Sequence, residues 1–488
     1  MTRLLTCLFG ILSLILSLTH HALAISYYTE GHGDLQLGVT DSLGFSLYGH
    51  AGSGGMVVDG SLLANDTYFN LSDIITAVPE SSNQYVHNTL HGATSDIATN
   101  LGINIGDDYW FLPQTSLGAG SSSTLHAPYL GLGTESMNYG VFQGDVVNLT
   151  LLAMSGPTGG QFSLQQSGTW LMRTTDGITS DDAVIGFPVG GHDHYKWFFS
   201  KPGVYDLTFQ SSATRISTGL LETSVDTYKF LVGSTVWKGT NGSNWNNSAN
   251  WVSGLPASGA TVIFSSSTDP NQPLTQDIAA PLDLHGVIFT AKAGAYTLGG
   301  QTLRLSVDSP EITSESASNQ VIGNPLVLAT DTIVTVNGSG NVTLSGLISG
   351  GGSFTKTGSG SLILAYNASH TGETLIKEGV LALNATGQIE YSAIANSATF
   401  EILAGDHSIA SITGNGATVV LAGSLTVDSI VQNTVTLAPG TRVIIAPLPG
   451  GPLGSCLTPV PEPSSWILLV CAIVSSMLIY FQGRNSQP

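Results

Sequence analysis

Two short motifs place histidine and aspartate where they could bind a metal ion. His32 and Asp34 are separated by one residue, and so are His192 and His194. Residues two apart on a β-strand point to the same face of the sheet, about 7 Å from each other. If the two motifs meet in the fold, they offer three or four nitrogen and oxygen ligands, a set that suits Zn²⁺ or another divalent cation.

The charge balance of the chain favours a cation over a polyanion as ligand. The 488 residues include 13 Lys and Arg against 33 Asp and Glu, which gives a formal net charge of -20. Between Leu4 and Met172 there is no Lys or Arg. Such a field attracts cations and repels polyanions, which argues against nucleic acid as a partner. The alternative for the two motifs is an ordinary solvated strand face without a ligand, and the sequence leaves both interpretations open.

The chain lacks the short motifs of common enzyme classes. It contains no Gly-x-Ser-x-Gly, no His-Glu-x-x-His and no phosphate-binding Gly-Lys-Ser/Thr sequence. We therefore expect no catalysis and assign no catalytic residue. A polysaccharide-active enzyme remains a third hypothesis, because paired carboxylates can meet in space without a sequence motif.

The N-terminus has the three regions of a secretory signal peptide. Arg3 precedes an apolar run from Leu4 to Leu18, and the small residues Ala22 and Ala24 follow. We expect signal peptidase to cleave after Ala24, so that residues 1–24 are removed during export.

The C-terminus combines a short motif, one apolar run and a polar tail. The motif consists of Val460, Pro461, Glu462 and Pro463. The apolar run covers residues 466–481 and is predicted to be a transmembrane helix, and the tail covers 482–488. Together they resemble the PEP-CTERM sorting signal, although Arg484 is a single basic residue where that signal usually has several. The resemblance implies export, recognition by an exosortase, and relocation in the envelope of a Gram-negative, biofilm-forming bacterium.

Residues 25–233 have the pattern of an all-β domain. Short apolar alternations are separated by Gly, Asn, Asp and Ser, which predicts strands and turns. The clearest unit joins residues 195–199 to 203–209 through Pro202 and Gly203, a typical turn pair. We expect these two strands to pair as a hairpin whose aromatic face lies in the core of a β-sandwich.

Three segments of this part of the chain carry a family resemblance. Residues 27–34, 191–198 and 201–205 are similar to the choice-of-anchor M domain, which is related to the actinobacterial surface-anchored protein repeat. The resemblance covers residues 25–233. It implies a surface domain joined to varied anchors and assigns no defined biochemical role.

Residues 234–445 change to recurring short strands with Gly and Asn corners. Such repeats predict a solenoid in which each coil buries its apolar strand faces against its neighbours. The segment 349–383 resembles the autotransporter-associated β-strand repeat. The resemblance implies a right-handed parallel β-helix that serves as a stalk or surface scaffold. Residues 446–465 then form a linker that ends in the Pro-Glu-Pro motif.

The function predicted from these observations is that of an exported, non-enzymatic cell-surface or extracellular-matrix protein. Its expected partners are signal peptidase, an exosortase, the membrane and extracellular polysaccharide. The alternative is a metal- or glycan-binding surface module whose site lies in residues 25–233.

Overall fold

A computed structural model describes residues 25–38, 45–53, 55–79, 92–114, 127–252, 254–279, 281–389 and 392–446. Within these ranges the protein has forty strands and one α-helix, α1 (Ser95–Leu101). The predicted predominance of β-structure is therefore confirmed. The short 3₁₀ turns are Leu71–Asp73, Gln143–Asp145, Thr174–Asp176 and Ser248–Asn250.

Three predicted segments lie outside the described residues. They are the signal peptide with Ala22 and Ala24, the motif at 460–463, and the apolar run at 466–481. In the part of the chain that the structure does describe, no helix has the length and apolar character needed to cross a membrane.

Sixteen strands form the N-terminal domain. They are β1 (Ser26–Gln36), β2 (Tyr48–Ala51), β3 (Val57–Val58), β4 (Ser61–Leu62), β5 (Thr67–Phe69), β6 (Ile74–Pro79), β7 (Trp110–Leu112), β8 (Pro128–Gly133), β9 (Val146–Ser155), β10 (Phe162–Gln166), β11 (Thr169–Arg173), β12 (Ala183–Pro188), β13 (His192–His194), β14 (Lys196–Phe199), β15 (Gly203–Thr214) and β16 (Leu221–Trp237).

These strands build three hydrogen-bonded layers. The largest runs in the order β12-β9-β15-β16-β6-β1-β3-β4. A second runs β13-β8-β1-β2-β5, and a third runs β11-β10-β14-β7. Strand β1 belongs to both of the first two, because its first half pairs with β6 and its second half with β8.

Gly31 lies where β1 passes from one layer to the other. Its φ of +85° is in the left-handed region that favours glycine. A Cβ at this position would also overlap the carbonyl oxygen of Gly55. The glycine therefore allows one strand to serve two sheets, and His32 and Asp34 follow directly after the bend.

The predicted hairpin at Pro202 and Gly203 is wrong in its pairing. Strand β14 pairs with β10 and β7, whereas β15 pairs with β9 and β16. The turn thus carries the chain from one sheet to the sheet facing it, and the aromatic faces pack across the core instead of side by side. Trp197 lies 5.5 Å from Phe230 and Phe199 lies 5.0 Å from Tyr205 between ring centroids. This arrangement buries both aromatic faces against each other. In a flat hairpin the two faces would lie side by side and would need other residues to cover them.

Twenty-four further strands form the solenoid. They are β17 (Ala260–Phe264), β18 (Leu274–Gln276), β19 (Leu282–Phe289), β20 (Thr297–Gly300), β21 (Leu303–Leu305), β22 (Glu311–Ser314), β23 (Gln320–Ile322), β24 (Leu326–Leu328), β25 (Thr332–Val336), β26 (Val342–Leu344), β27 (Ile348–Gly350), β28 (Phe354–Thr357), β29 (Ser361–Leu364), β30 (Asn367–Ala368), β31 (Thr374–Ile376), β32 (Val380–Leu383), β33 (Gln388–Ile389), β34 (Ile394–Asn396), β35 (Thr399–Ile402), β36 (Asp406–Thr413), β37 (Ala417–Val420), β38 (Ser424–Ile430), β39 (Thr434–Leu437) and β40 (Arg442–Ile445).

The solenoid coils stack through parallel ladders. In the described residues one ladder contains nine strands, from β18 to β39. Paired residues on successive coils are 24 positions apart at Leu298 and Ile322 but only 17 apart at Thr418 and Val435. The coils therefore shorten along the chain, which explains why the repeat spacing in the sequence is uneven.

Apolar residues at alternate positions of the short strands fill the solenoid core. Leu303, Leu326, Ile348 and Ala368 stand in register on four successive coils, and all are buried. At the N-terminal end the rings of Trp237, Trp245 and Trp251 pack together and are fully buried. These tryptophans close the first coil, where no preceding coil covers the core.

The two domains share a continuous sheet. Strand β16 runs through the predicted domain boundary at residues 233 and 234, and it pairs with β6 of the N-terminal domain and with β17 of the solenoid. Tyr27 and Leu231 from one domain and Ile263 from the other lie in a single buried apolar cluster. Hydrogen bonds and apolar packing therefore both fix the joint.

Candidate metal centre

The second layer of the N-terminal domain brings the two predicted motifs onto one face. Asp34 on β1 lies opposite His50 on β2 and opposite Gly131 on β8. Gly131 in turn lies opposite His194 on β13. Four neighbouring strands thus present one row of residues, in which a glycine separates Asp34 from His194.

Alternation along the strands explains why these residues share a face. Leu35, Leu130 and Leu132 point to the other side, where they are fully buried in the core of the domain. Because successive side chains alternate between the two faces, His32 and Asp34 must lie on the side away from that core. The hydrophobic half of the pattern therefore sets the register of the polar half.

The nitrogen and oxygen atoms of the motifs converge closely. Nε2 of His192 lies 2.8 Å from Oδ1 of Asp34 and 3.2 Å from Nε2 of His32. Nε2 of His32 lies 3.3 Å from the same carboxylate oxygen. With one ring nitrogen of His194 included, the four ligand atoms all lie within 4.8 Å of one another.

These separations approach those of a tetrahedral zinc shell. Zinc bonds to histidine nitrogen and carboxylate oxygen are about 2.0–2.2 Å long, which places neighbouring ligand atoms about 3.3 Å apart. The three separations among His32, Asp34 and His192 lie near this value. If all four residues bind, the shell is closed and leaves no position for a reacting water, which is the pattern of a structural or storage site.

Glycines on the adjacent strands leave the space that the cluster occupies. A Cβ on Gly131 would overlap Oδ1 of Asp34 and would lie 3.1 Å from Cε1 of His194. A Cβ on Gly52 would lie 2.5 Å from Nδ1 of His32. Neither glycine has a positive φ, so the backbone conformation does not require glycine at these positions. The need for space above the strand does.

The carboxylate of Asp34 is buried but stays ionised. Its side chain is 1% exposed. Burial by itself would raise the pKa of Asp34, but the neighbouring rings of His192, His32 and His50 together hold it well below its usual range. The pKa of His192 is raised, chiefly by its hydrogen bond to Asp34. The cluster therefore holds a buried negative charge that lies against the histidine rings and that a metal cation could neutralise.

The pKa of His194 is shifted in the opposite direction to that of His192. Burial, followed by the nearby charges of His192 and His32, lowers its pKa to about 3. Its ring stacks on Tyr129 with centroids 3.5 Å apart. Among the described residues, nothing accepts from or donates to its buried Nδ1. His194 is thus a neutral imidazole held in place by stacking, which is the protonation state that a metal ligand requires.

A second group of residues was not found from the sequence. His50 and Glu135 lie beside Asp34 and form with it another set of converging ligand atoms. Neither residue belongs to a short motif, and only the pairing of β2 with β1 brings His50 opposite Asp34. The sequence held no local signal for them.

Comparison with known proteins gives one match. A scan against family models matches residues 354–383 to the Passenger-associated-transport-repeat. These residues form β28 to β32, about one and a half coils of the solenoid, since Phe354 pairs with Thr374 on the next coil. The match agrees with the repeat resemblance seen over 349–383. A search of curated proteins gave no significant match, and a search of solved structures gave none. The repeat and the solenoid fit a secreted or outer-surface repeat protein.

Proposed function

We propose that the chain is an exported surface protein whose N-terminal domain binds a divalent transition metal, with zinc as the first candidate. The proposed ligands are His32, Asp34, His192 and His194. The predicted metal-binding alternative is thereby joined to the predicted surface role. The protein is proposed to act by binding and not by catalysis.

One observation carries the proposal. Ligand atoms from β1 and β13, which are 158 residues apart at Asp34 and His192, meet at hydrogen-bond distance around a buried carboxylate. Burying a carboxylate among histidine rings costs free energy that the hydrogen bonds between them offset, and a bound cation would offset it further. The acidic character of the chain would further raise the local concentration of cations.

The route to the surface is proposed from the sequence. We propose cleavage after Ala24, recognition of the Val460–Pro463 motif by an exosortase, and residence in the envelope or matrix of a Gram-negative bacterium. The N-terminal domain, proposed to be a β-sandwich, would be displayed on a right-handed solenoid. Mass spectrometry of the C-terminus from cells with and without exosortase tests the sorting step, since only the former should show processing.

Calorimetric titration of the metal-free full chain with zinc tests the binding site. We expect saturable binding by the native chain and its loss in Asp34→Asn. The matched control is Asp193→Asn, the same chemical change at the residue between His192 and His194 on β13. This variant should bind zinc like the native chain. Native protein that shows no saturable binding of zinc or another divalent transition metal would contradict the proposal.

A further inference from the structure

The second carboxylate oxygen of Asp34, Oδ2, also lies in surroundings that resemble a metal site. Its first oxygen, Oδ1, belongs to the cluster of His32, Asp34, His192 and His194. Its Oδ1 lies within ion-pair distance of His32 and His192, whereas its buried Oδ2 makes no close hydrogen bond within the described residues. Nδ1 of His50 lies 3.5 Å from this oxygen. A buried, charged carboxylate oxygen whose one neighbouring histidine nitrogen is at this long distance is only weakly compensated, and a bound cation would remove that cost.

His50 is held with one ring nitrogen toward this oxygen. Its other nitrogen, Nε2, lies 3.4 Å from Oδ1 of Asp66, whose side chain is exposed. Metal-binding histidines commonly use their second nitrogen in this way, since a carboxylate there fixes the ring and strengthens its basicity. Its ring also lies 4.8 Å from that of Tyr68 between centroids. His50 is thus oriented from two sides.

Glu135 completes the second set of ligands. Its Oε2 accepts a hydrogen bond of 2.8 Å from Nε2 of Gln36. A Cβ on Gly133 would lie 2.8 Å from that same oxygen and would overlap the Gln36 amide. Gly131 and Gly133 are two residues apart on β8 and lie on the same face. Gly131 leaves space for the first cluster, and Gly133 leaves space for Glu135 in the second.

We propose that Asp34 bridges two divalent cations, the second of which is bound by Asp34, His50 and Glu135. This inference rests on the proposed function, because the first cation binds to the other oxygen of the same carboxylate. Carboxylate-bridged ions in proteins are about 3.5–4 Å apart. The second site has three protein ligands in place of four, so it keeps open positions for water or for an anionic ligand.

Metal stoichiometry of the full chain tests the second site. Metal-free protein is titrated with zinc, and the bound metal is measured by elemental analysis after desalting. We expect two zinc ions per native chain and one in Glu135→Gln, with the second affinity reduced at least about tenfold. Glu135 is exposed, so this variant is expected to fold. Asp193→Asn should retain two ions.

A spectroscopic measurement tests whether the two ions are adjacent. In the chain loaded with Cu²⁺, two ions bridged by one carboxylate should show magnetic coupling in the electron paramagnetic resonance spectrum. The coupling should vanish in Glu135→Gln. One zinc ion per native chain, unchanged in this variant, would overturn the second site and leave the first intact. Two ions in both proteins, or two without coupling, would also overturn it, whereas no bound metal in the native chain would refute the proposed function itself.

Discussion

Replacing Gly131 with alanine should strongly weaken metal binding without removing any ligand. The added Cβ would overlap Oδ1 of Asp34, so the carboxylate must move by roughly 1 Å to restore van der Waals contact. Metal–ligand distances in zinc sites stay within about 0.2 Å of their usual values. We therefore expect the affinity to fall at least about 100-fold, the upper range for changes that disturb ligand orientation.

Thermal unfolding of the full chain with and without zinc measures this effect. At a zinc concentration 100 times the dissociation constant, binding stabilises the folded state by about 2.7 kcal/mol, and a 100-fold weaker site leaves about 0.4 kcal/mol. For a domain of this size 1 kcal/mol shifts the midpoint by about 2–4 °C. Zinc should thus raise the midpoint of the N-terminal domain by about 5–10 °C in the native chain and by about 1 °C in Gly131→Ala.

Two comparisons make the result interpretable. Circular dichroism of metal-free Gly131→Ala should match that of the native chain, because the residue has an ordinary backbone conformation. Gly351→Ala adds a Cβ that has no atom within 4 Å and should leave the zinc response unchanged. If folded Gly131→Ala kept the full zinc-induced shift, the cluster over Gly131 would not be the binding site.

Three further predictions concern the solenoid. In Gly352→Ala the Cβ would overlap a carbonyl of the preceding coil, which should cost about 1–3 kcal/mol of unfolding free energy, whereas the neighbouring Gly351→Ala should not lower the midpoint of urea unfolding. Lys356 donates from Nζ to three carbonyl oxygens, and burial lowers its pKa to about 8. Lys356→Met should therefore lower the unfolding free energy by at least about 1–3 kcal/mol in the same assay, because the buried carbonyl of Gly358 is left without a hydrogen-bond donor. Unchanged stability would show that these bonds contribute nothing. Burial raises the pKa of Glu315, so ionisation above its ordinary value of about 4.3 destabilises the folded state. Glu315→Gln should accordingly raise the melting temperature at pH 7 but not below about pH 4, and an equal effect at both would contradict this assignment.

The sequence predicted those features that depend on local pattern. Alternation in strands such as Leu326–Leu328 and the corner glycines identified the solenoid, because a coil needs only its own short strands and its neighbours. The spacing of His32 with Asp34, and of His192 with His194, correctly placed each pair on one strand face. Both predictions need only the two-residue period of a strand.

Features that depend on distant pairing were missed. Pro202 and Gly203 indicated a turn, but turn chemistry does not determine whether the next strand stays in the same sheet or enters the facing one. His50 and Glu135 join the site only through the register of β1 with β2 and the path of the chain after β8. Strand register is set by the buried face and by the whole sheet, so a single sequence offers no local signal for it.

X-ray absorption spectroscopy of the zinc-loaded full chain tests the central claim most directly, because it reports the atoms bound to the metal. The account predicts a first shell of nitrogen and oxygen at about 2.0–2.2 Å that includes histidine imidazoles, with fewer imidazoles in His192→Ala. A shell of oxygen alone, as expected for zinc bound loosely at surface carboxylates, would contradict the assignment of His32, Asp34, His192 and His194 as a metal site.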